Sequence, residues 1–170
     1  RLLEIAEKNA AAAAADVARQ ADVREKGVAS LQRFLSLPRP PRVIECFDVS
    51  LFQGTDAVAS QVCFVDGAPE KSRYRRYNTK SFEGADANKN DDYAMMHEAL
   101  VRRLKKGDLP DLLLVDGGKG QLQVALAACK DTGTPVGGAG LMVASIAKAR
   151  TFGDDERPQT PREERPHADA

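Results

Sequence analysis

The sequence predicts an α/β fold built on a mixed β-sheet, and two observations carry that reading. Two runs rich in Val, Ile, Phe and Cys, "RVIECFDVSLF" and "DAVASQVCFVDG", are separated only by "QGT", a spacing that a hairpin can close. Further on, strand-like and helix-like segments alternate through "DDYAMMHEALVRRLKK", "DLLLVD", "KGQLQVALAACKDTG" and "GLMVASIAK". Consecutive strands favour antiparallel pairing, and strand–helix–strand alternation favours parallel pairing. The expected order is a helical arm, three antiparallel strands, then helix, strand, helix, strand, with helices covering the sheet.

Each element has a local cause. The alanine run Ala10 to Ala15 and the three- and four-residue apolar spacing of "VREKGVASLQRFLSL" predict a helical arm over residues 1–37. The prolines of "LPRPPR" end it, because each lacks an amide and restricts its predecessor. The main domain is expected over 38–150. Asp66-Gly67 supplies the turn between the second strand and a third, "KSRYRRYNTK". The polar "FEGADANKN" predicts a mobile loop before a helix capped by Asp91 or Asp92, whose last-turn basic residues complement the macrodipole and which Gly107 ends. Residues 151–170 lack apolar periodicity and are rich in charge and proline, which predicts a disordered tail.

Composition excludes more than it selects. A chain of 170 residues can bury a substantial core. Lysine plus arginine equals aspartate plus glutamate at 25 each, so net charge selects no partner. There is no run of about 18 apolar residues to cross a membrane and no signal-peptide pattern at the start, so a cytoplasmic location is expected. Cys46, Cys63 and Cys129 are widely spaced in apolar surroundings, which predicts three reduced core thiols.

The chemistry is concentrated in two aspartates. Asp48 interrupts "CFDVSLF" and Asp116 ends "LLLVD", so a carboxylate twice follows apolar strand residues. Such a group needs a cation, hydrogen-bond donors or a proton. If these two strands are parallel neighbours, the two carboxylates converge, and a pair of hard oxygen ligands suits Mg²⁺ or Mn²⁺. The alternative is that Asp116 merely starts an Asp-Gly turn. After it, Gly117, Gly118 and Gly120 would let backbone amides approach an anion, with Lys119 as a point charge. The loop does not match the nucleoside-triphosphate pattern G-x-x-x-x-G-K-[ST]. In the third strand Lys71, Arg73, Arg75, Arg76 and Lys80 surround Tyr74 and Tyr77, a pattern suited to phosphate contacts and ring packing on nucleic acid, with Arg73, Arg75, Arg76 and Tyr77 as the chosen residues. The bland alternative is a charged edge strand protected from aggregation. His97 reads as a solvated helix residue, and His167 falls in the predicted tail.

These motifs also carry a resemblance. "PRPPRVIECFDVSLFQGTDAVAS", "YRRYN", "NDDYAMMHEALVRRL" and "LPDLLLVDGGKGQL" resemble successive motifs in the C-terminal half of UvrC, the endonuclease subunit of bacterial nucleotide excision repair, over residues 1–150. The resemblance implies an RNase H-like fold that cuts damaged double-stranded DNA on the 5′ side of a lesion. It also implies a divalent metal held by an Asp, Asp, His set and a repair complex containing UvrA and UvrB. The two aspartates match Asp48 and Asp116. The chain departs from the family at Leu51, where histidine usually follows "FD-x-S", and it has no "DEAHRFA"-like segment to supply the histidine of the set. No match is found for the family's other nuclease domain, its UvrB-binding segment or its helix-hairpin-helix module. The expectation is an incomplete endonuclease domain with weak or no cleavage, the alternative being a non-catalytic RNase H-like DNA-binding or protein-interaction module.

Overall fold

A computed structural model of the protein describes residues 1–52, 56–78 and 89–147. The alanine-rich arm is one helix, α1 (Leu2–Phe34), about 50 Å long at 1.5 Å per residue. None of its residues is buried. Local ion pairs such as Asp22–Lys26 at 2.7 Å support it, and its later turns approach the sheet where Arg24 and Val28 lie against Gly67.

The expected hairpin forms from β1 (Val43–Phe52) and β2 (Asp56–Val65), paired antiparallel from Val43↔Val65 to Phe52↔Asp56. The connecting residues 53–55 lie outside the described residues. Asp66 and Gly67 both adopt positive φ, 48° and 75°, the signature of a two-residue type I′ turn. That turn leads into β3 (Ala68–Pro69).

The third strand differs from the expected one. Residues Lys71–Arg73 form a 3-10 turn, with the Glu70 side chain accepting from the Ser72 amide, and only β4 (Arg75–Asn78) pairs with β2. Glu70 bends the chain before the basic run can extend along the edge. Lys80 and the predicted loop lie largely outside the described residues, as do the tail and His167.

Helix α2 (Lys89–Leu104) starts before Asp91 and Asp92, so these belong to its first turn and are not its N-cap. Strand β5 (Leu112–Asp116) pairs parallel with β1, helix α3 (Lys119–Asp131) follows, and β6 (Met142–Ile146) pairs parallel with β5. The sheet order is β3-β2-β1-β5-β6, with β4 also on β2. The antiparallel-then-parallel expectation is met.

The two faces of the sheet are unlike. On one, α2 and α3 close a core of Phe47, Ala59, Tyr77, Leu100, Leu113, Val115 and Cys129. On the other, among the described residues, Leu31, Leu35 and Leu37 from the end of α1 and its linker pack around Ile44 and Leu112. The carboxylate of Asp111 ties that linker down by accepting from the amides of Arg42 at 3.0 Å and Val43 at 2.9 Å and from Arg39 at 3.1 Å.

Candidate active site

Strand register brings the two predicted aspartates together. The β1–β5 pairing ends at Phe47↔Val115, so Asp48 and Asp116 are the next residue on each strand. Adjacent strands lie about 4.8 Å apart, and equal parity puts both side chains on the same face. It is the face that α2 and α3 leave open, and both residues are exposed.

Neither carboxylate has an ion-pair or hydrogen-bond partner among the described residues. Two unit charges at that spacing repel by roughly 1 kcal/mol in water. The Cys46 thiol, on the same face two residues before Asp48, registers this field. Its pKa is pushed up first by burial and then by the charges of Asp116 and Asp48. Cys63 and Cys129 are buried as expected, but Cys46 is half-buried under the carboxylate pair. Two uncompensated hard oxygen ligands fit a divalent cation such as Mg²⁺ or Mn²⁺, which binds through one or two carboxylates and keeps several waters. No group of three His, Cys, Asp or Glu side chains with metal-ligand placement occurs among the described residues.

The same row of the sheet continues outward. Asp48 pairs with Ser60 on β2, and Ser60 pairs with Arg76 on β4. Arg76 therefore shares the open face with the carboxylates, two strands and about 10 Å from Asp48. The other predicted nucleic-acid contacts do not share it. Arg75 projects to the helix-covered side, where Nη1 donates to the carbonyls of Ser72 at 2.8 Å and Tyr74 at 2.7 Å. Arg73 reaches the same side, 3.6 Å from Glu45 and 3.5 Å from Asp108. Tyr77 is 3% exposed, its ring centre 5.9 Å from that of Phe47 with the planes tilted by 32°, and Arg102 and Lys106 lie over its ring. A base cannot stack on a ring buried in this way, so Tyr77 is a core residue. Burial raises the pKa of its hydroxyl, which stays protonated and donates to Gln61 Oε1 at 2.8 Å.

The glycine loop is also built differently from an anion cradle. The Gly117 amide donates to the Ile146 carbonyl at 2.9 Å, and the Gly118 amide donates to Gln121 Oε1 at 3.1 Å. Of the three glycines expected there, Gly117 and Gly118 thus already use their amides inside the chain. Gly117 is required because its φ is 144° and a Cβ there would lie 2.4 Å from the Gln121 side chain. Lys119 is exposed at the start of α3. His97 lies away from the carboxylates, bridging α2 to α3 through Asp131 at 2.8 Å.

Sequence reasoning missed a third carboxylate, Glu45. It is fully buried and gripped by Arg103, with Nε and Nη2 each 2.8 Å from its two oxygens. Burial opposes the charge on Arg103, but the hydrogen bonds and charge of Glu45 outweigh it and raise the guanidinium pKa. The available signal was an acid inside the apolar run "VIECF", the same one that exposed Asp48.

Comparison with known proteins supports the expected family. A family model described as the UvrC RNase H endonuclease domain matches residues 32–168. The UvrABC system protein C of Anaeromyxobacter dehalogenans strain 2CP-C is 48% identical over 138 residues, 79% of this chain and 19% of that protein. The one from Trichlorobacter lovleyi is 41% identical over 158 residues, 90% of this chain and 25% of that protein. The chain thus spans only a minor part of the curated relatives it matches. Among solved structures, Ciona intestinalis endonuclease V in complex with an inosine-containing DNA gives a TM-score of 0.46 at 14% identity, covering 64% of this chain and 46% of that one. No helix among the described residues is long and apolar enough to cross a membrane. With a mixed sheet in the expected strand order and a family model that spans most of its length, the chain belongs to the UvrC RNase H endonuclease domain family.

Proposed function

We propose that this chain is a divalent-metal-dependent DNA endonuclease domain of nucleotide excision repair, making the incision 5′ to a lesion by phosphodiester hydrolysis. The observation that carries the reading is the placement of Asp48 and Asp116 side by side on the open face, without a cation among the described residues. Mg²⁺ or Mn²⁺ at this position would supply Lewis-acid polarisation of a phosphate oxygen. The chain's own contribution is positional. Asp48 and Asp116 hold hard oxygens on rigid neighbouring strands, and Arg76 offers a phosphate contact in the same row, with Lys119 adding positive charge at the start of α3. Damaged double-stranded DNA as substrate and a repair complex with UvrA and UvrB as partner go with this reading, in line with the names of the relatives.

The second reading, which the basic Arg76 in the same row also suits, is a non-catalytic RNase H-like DNA-binding or protein-interaction module. Isothermal calorimetry with Mn²⁺ separates the two. The endonuclease reading expects binding by the wild-type chain that Asp48→Ala removes. If the wild type binds no Mn²⁺ while DNA binding persists, the metal site is rejected and the module reading stands. Arg76→Ala should lower the slope of log affinity for DNA against log salt by about one.

A further inference from the structure

On the helix-covered side, beyond the β4 edge of the core, a cleft of about 220 Å³ opens between β2, β4 and the end of α2. Its charged lining comprises Arg73, Arg75, Arg103 and Lys106 against Glu45 and Asp108, an excess of two positive charges. Glu45 is engaged by Arg103, which also donates to the carbonyls of Gly107 and Asp108 at 2.8 Å each. The cations left to the cleft are Arg75, which has no carboxylate partner among the described residues, Lys106, held 5.6 Å from the Tyr77 ring centre, and Arg73, whose two ion pairs are long.

A neutral donor faces the same cleft. Gln61 is only 3% exposed and lines this cleft. Its carboxamide oxygen accepts from Tyr77, while its amide nitrogen has no hydrogen-bond partner among the described residues. That nitrogen is not enclosed: it opens on the cleft, where it can donate to water or to an acceptor that replaces the water. The cleft therefore joins the Gln61 amide of β2 to the ammonium of Lys106, just past the end of α2, and to the guanidinium groups of Arg73 and Arg75, before and in β4.

We propose that this cleft is a phosphate-binding site, separate from Asp48 and Asp116 and on the opposite face of the sheet. Donors arriving from several directions match a tetrahedral oxyanion with several acceptor oxygens, and guanidinium and ammonium groups form the stronger, charge-assisted bonds to it. The phosphate is supplied either by a nucleic-acid backbone or by a free phosphate ester. The backbone has a direct route, because Arg75 and Arg76 are consecutive residues on opposite faces of the edge strand, and a strand rounding that edge meets both.

The test follows the side-chain amide signal of Gln61 by NMR in the full chain. It is titrated separately with inorganic phosphate, a 5′-mononucleotide and a single-stranded oligonucleotide. The expected result is a saturable shift of that signal, with affinity reduced about tenfold by Lys106→Gln, the loss of one charge-assisted bond. Lys105→Gln, an exposed neighbour outside the cleft, should leave affinity unchanged within about twofold. A shift with the oligonucleotide that weakens with salt assigns the site to a nucleic-acid backbone; a shift only with phosphate or mononucleotide assigns it to a free ester. No saturable shift with any of the three, or equal losses in Lys105→Gln and Lys106→Gln, overturns the proposal. Displacement of phosphate by an equal concentration of a polyglutamate peptide also overturns it, in favour of an acidic protein segment. None of these readouts uses metal, cleavage or Asp48, so failure here is distinct from failure of the endonuclease reading.

Discussion

Glu45 and Asp48 are three residues apart on one strand, yet they occupy opposite physical worlds. Glu45 faces the helices, has no exposure and is held bidentately by Arg103. Asp48 faces the open side beside Asp116 and has no partner among the described residues. Asp111, just before β5, and Asp116, its last residue, repeat the contrast. Asp111 accepts two backbone amides and an arginine, whereas Asp116 accepts nothing among the described residues. A carboxylate in an apolar strand can therefore hold the fold together or be held by the fold for something else, and only its partners tell the two apart.

The most severe way to break this comparison is Glu45→Ala. It leaves Arg103 buried without its counter-charge and should cost about 3–5 kcal/mol of stability, read by urea unfolding. A Glu45→Leu/Arg103→Met double variant should recover much of that loss, because it removes both charges together. Asp111→Ala should cost about 1–3 kcal/mol, since the amides of Arg42 and Val43 lose their acceptor. Asp48→Asn and Asp116→Asn should leave stability unchanged or raise it by up to about 1 kcal/mol, because each relieves the repulsion, while weakening Mn²⁺ binding. A large loss of stability in either asparagine variant would show that these aspartates belong with Glu45 and Asp111.

The smallest effect concerns an exposed but paired carboxylate. Asp66 is held below the ordinary carboxylate range chiefly by the hydrogen bond from Arg42; desolvation opposes this, and the charge of Arg42 adds to it. Its folded pKa lies below its unfolded one, so its stabilising contribution is complete above the unfolded value. That contribution disappears as pH falls through the folded value. Unfolding of Asp66→Asn across the acidic range should lack this component of the slope, and an unchanged slope would place the pH dependence elsewhere.

Asp48 and Asp116 were legible as a candidate pair because a carboxylate within or at the end of an apolar strand contradicts its surroundings. Glu45 carried the same contradiction beside Cys46. Its resolution lay 58 residues away in Arg103, which reads from local pattern only as a favourable charge at the end of a helix. The basic run was misleading for a different reason. Its residues are consecutive in sequence, but the period of two along β4 sends Arg76 to one face and Arg75 and Tyr77 to the other. The glycine loop looked like an anion cradle because sequence displays its amides without displaying Ile146 and Gln121, which use those of Gly117 and Gly118.

By itself, the sequence determined the elements and much of their order. Apolar periodicity, the Asp66-Gly67 turn and the proline break act over a few residues, and so does the flexibility that Gly117 requires. Its motifs were also sufficient to indicate the family. Tertiary structure alone decided which charges meet, because a register between β1 and β5 aligns Asp48 with Asp116 across 68 positions of chain. It likewise decided that Tyr77 is core and that the Gln61 amide opens on a cationic cleft. Those outcomes depend on which face of a strand another element covers, a property of packing between distant segments that no local pattern contains.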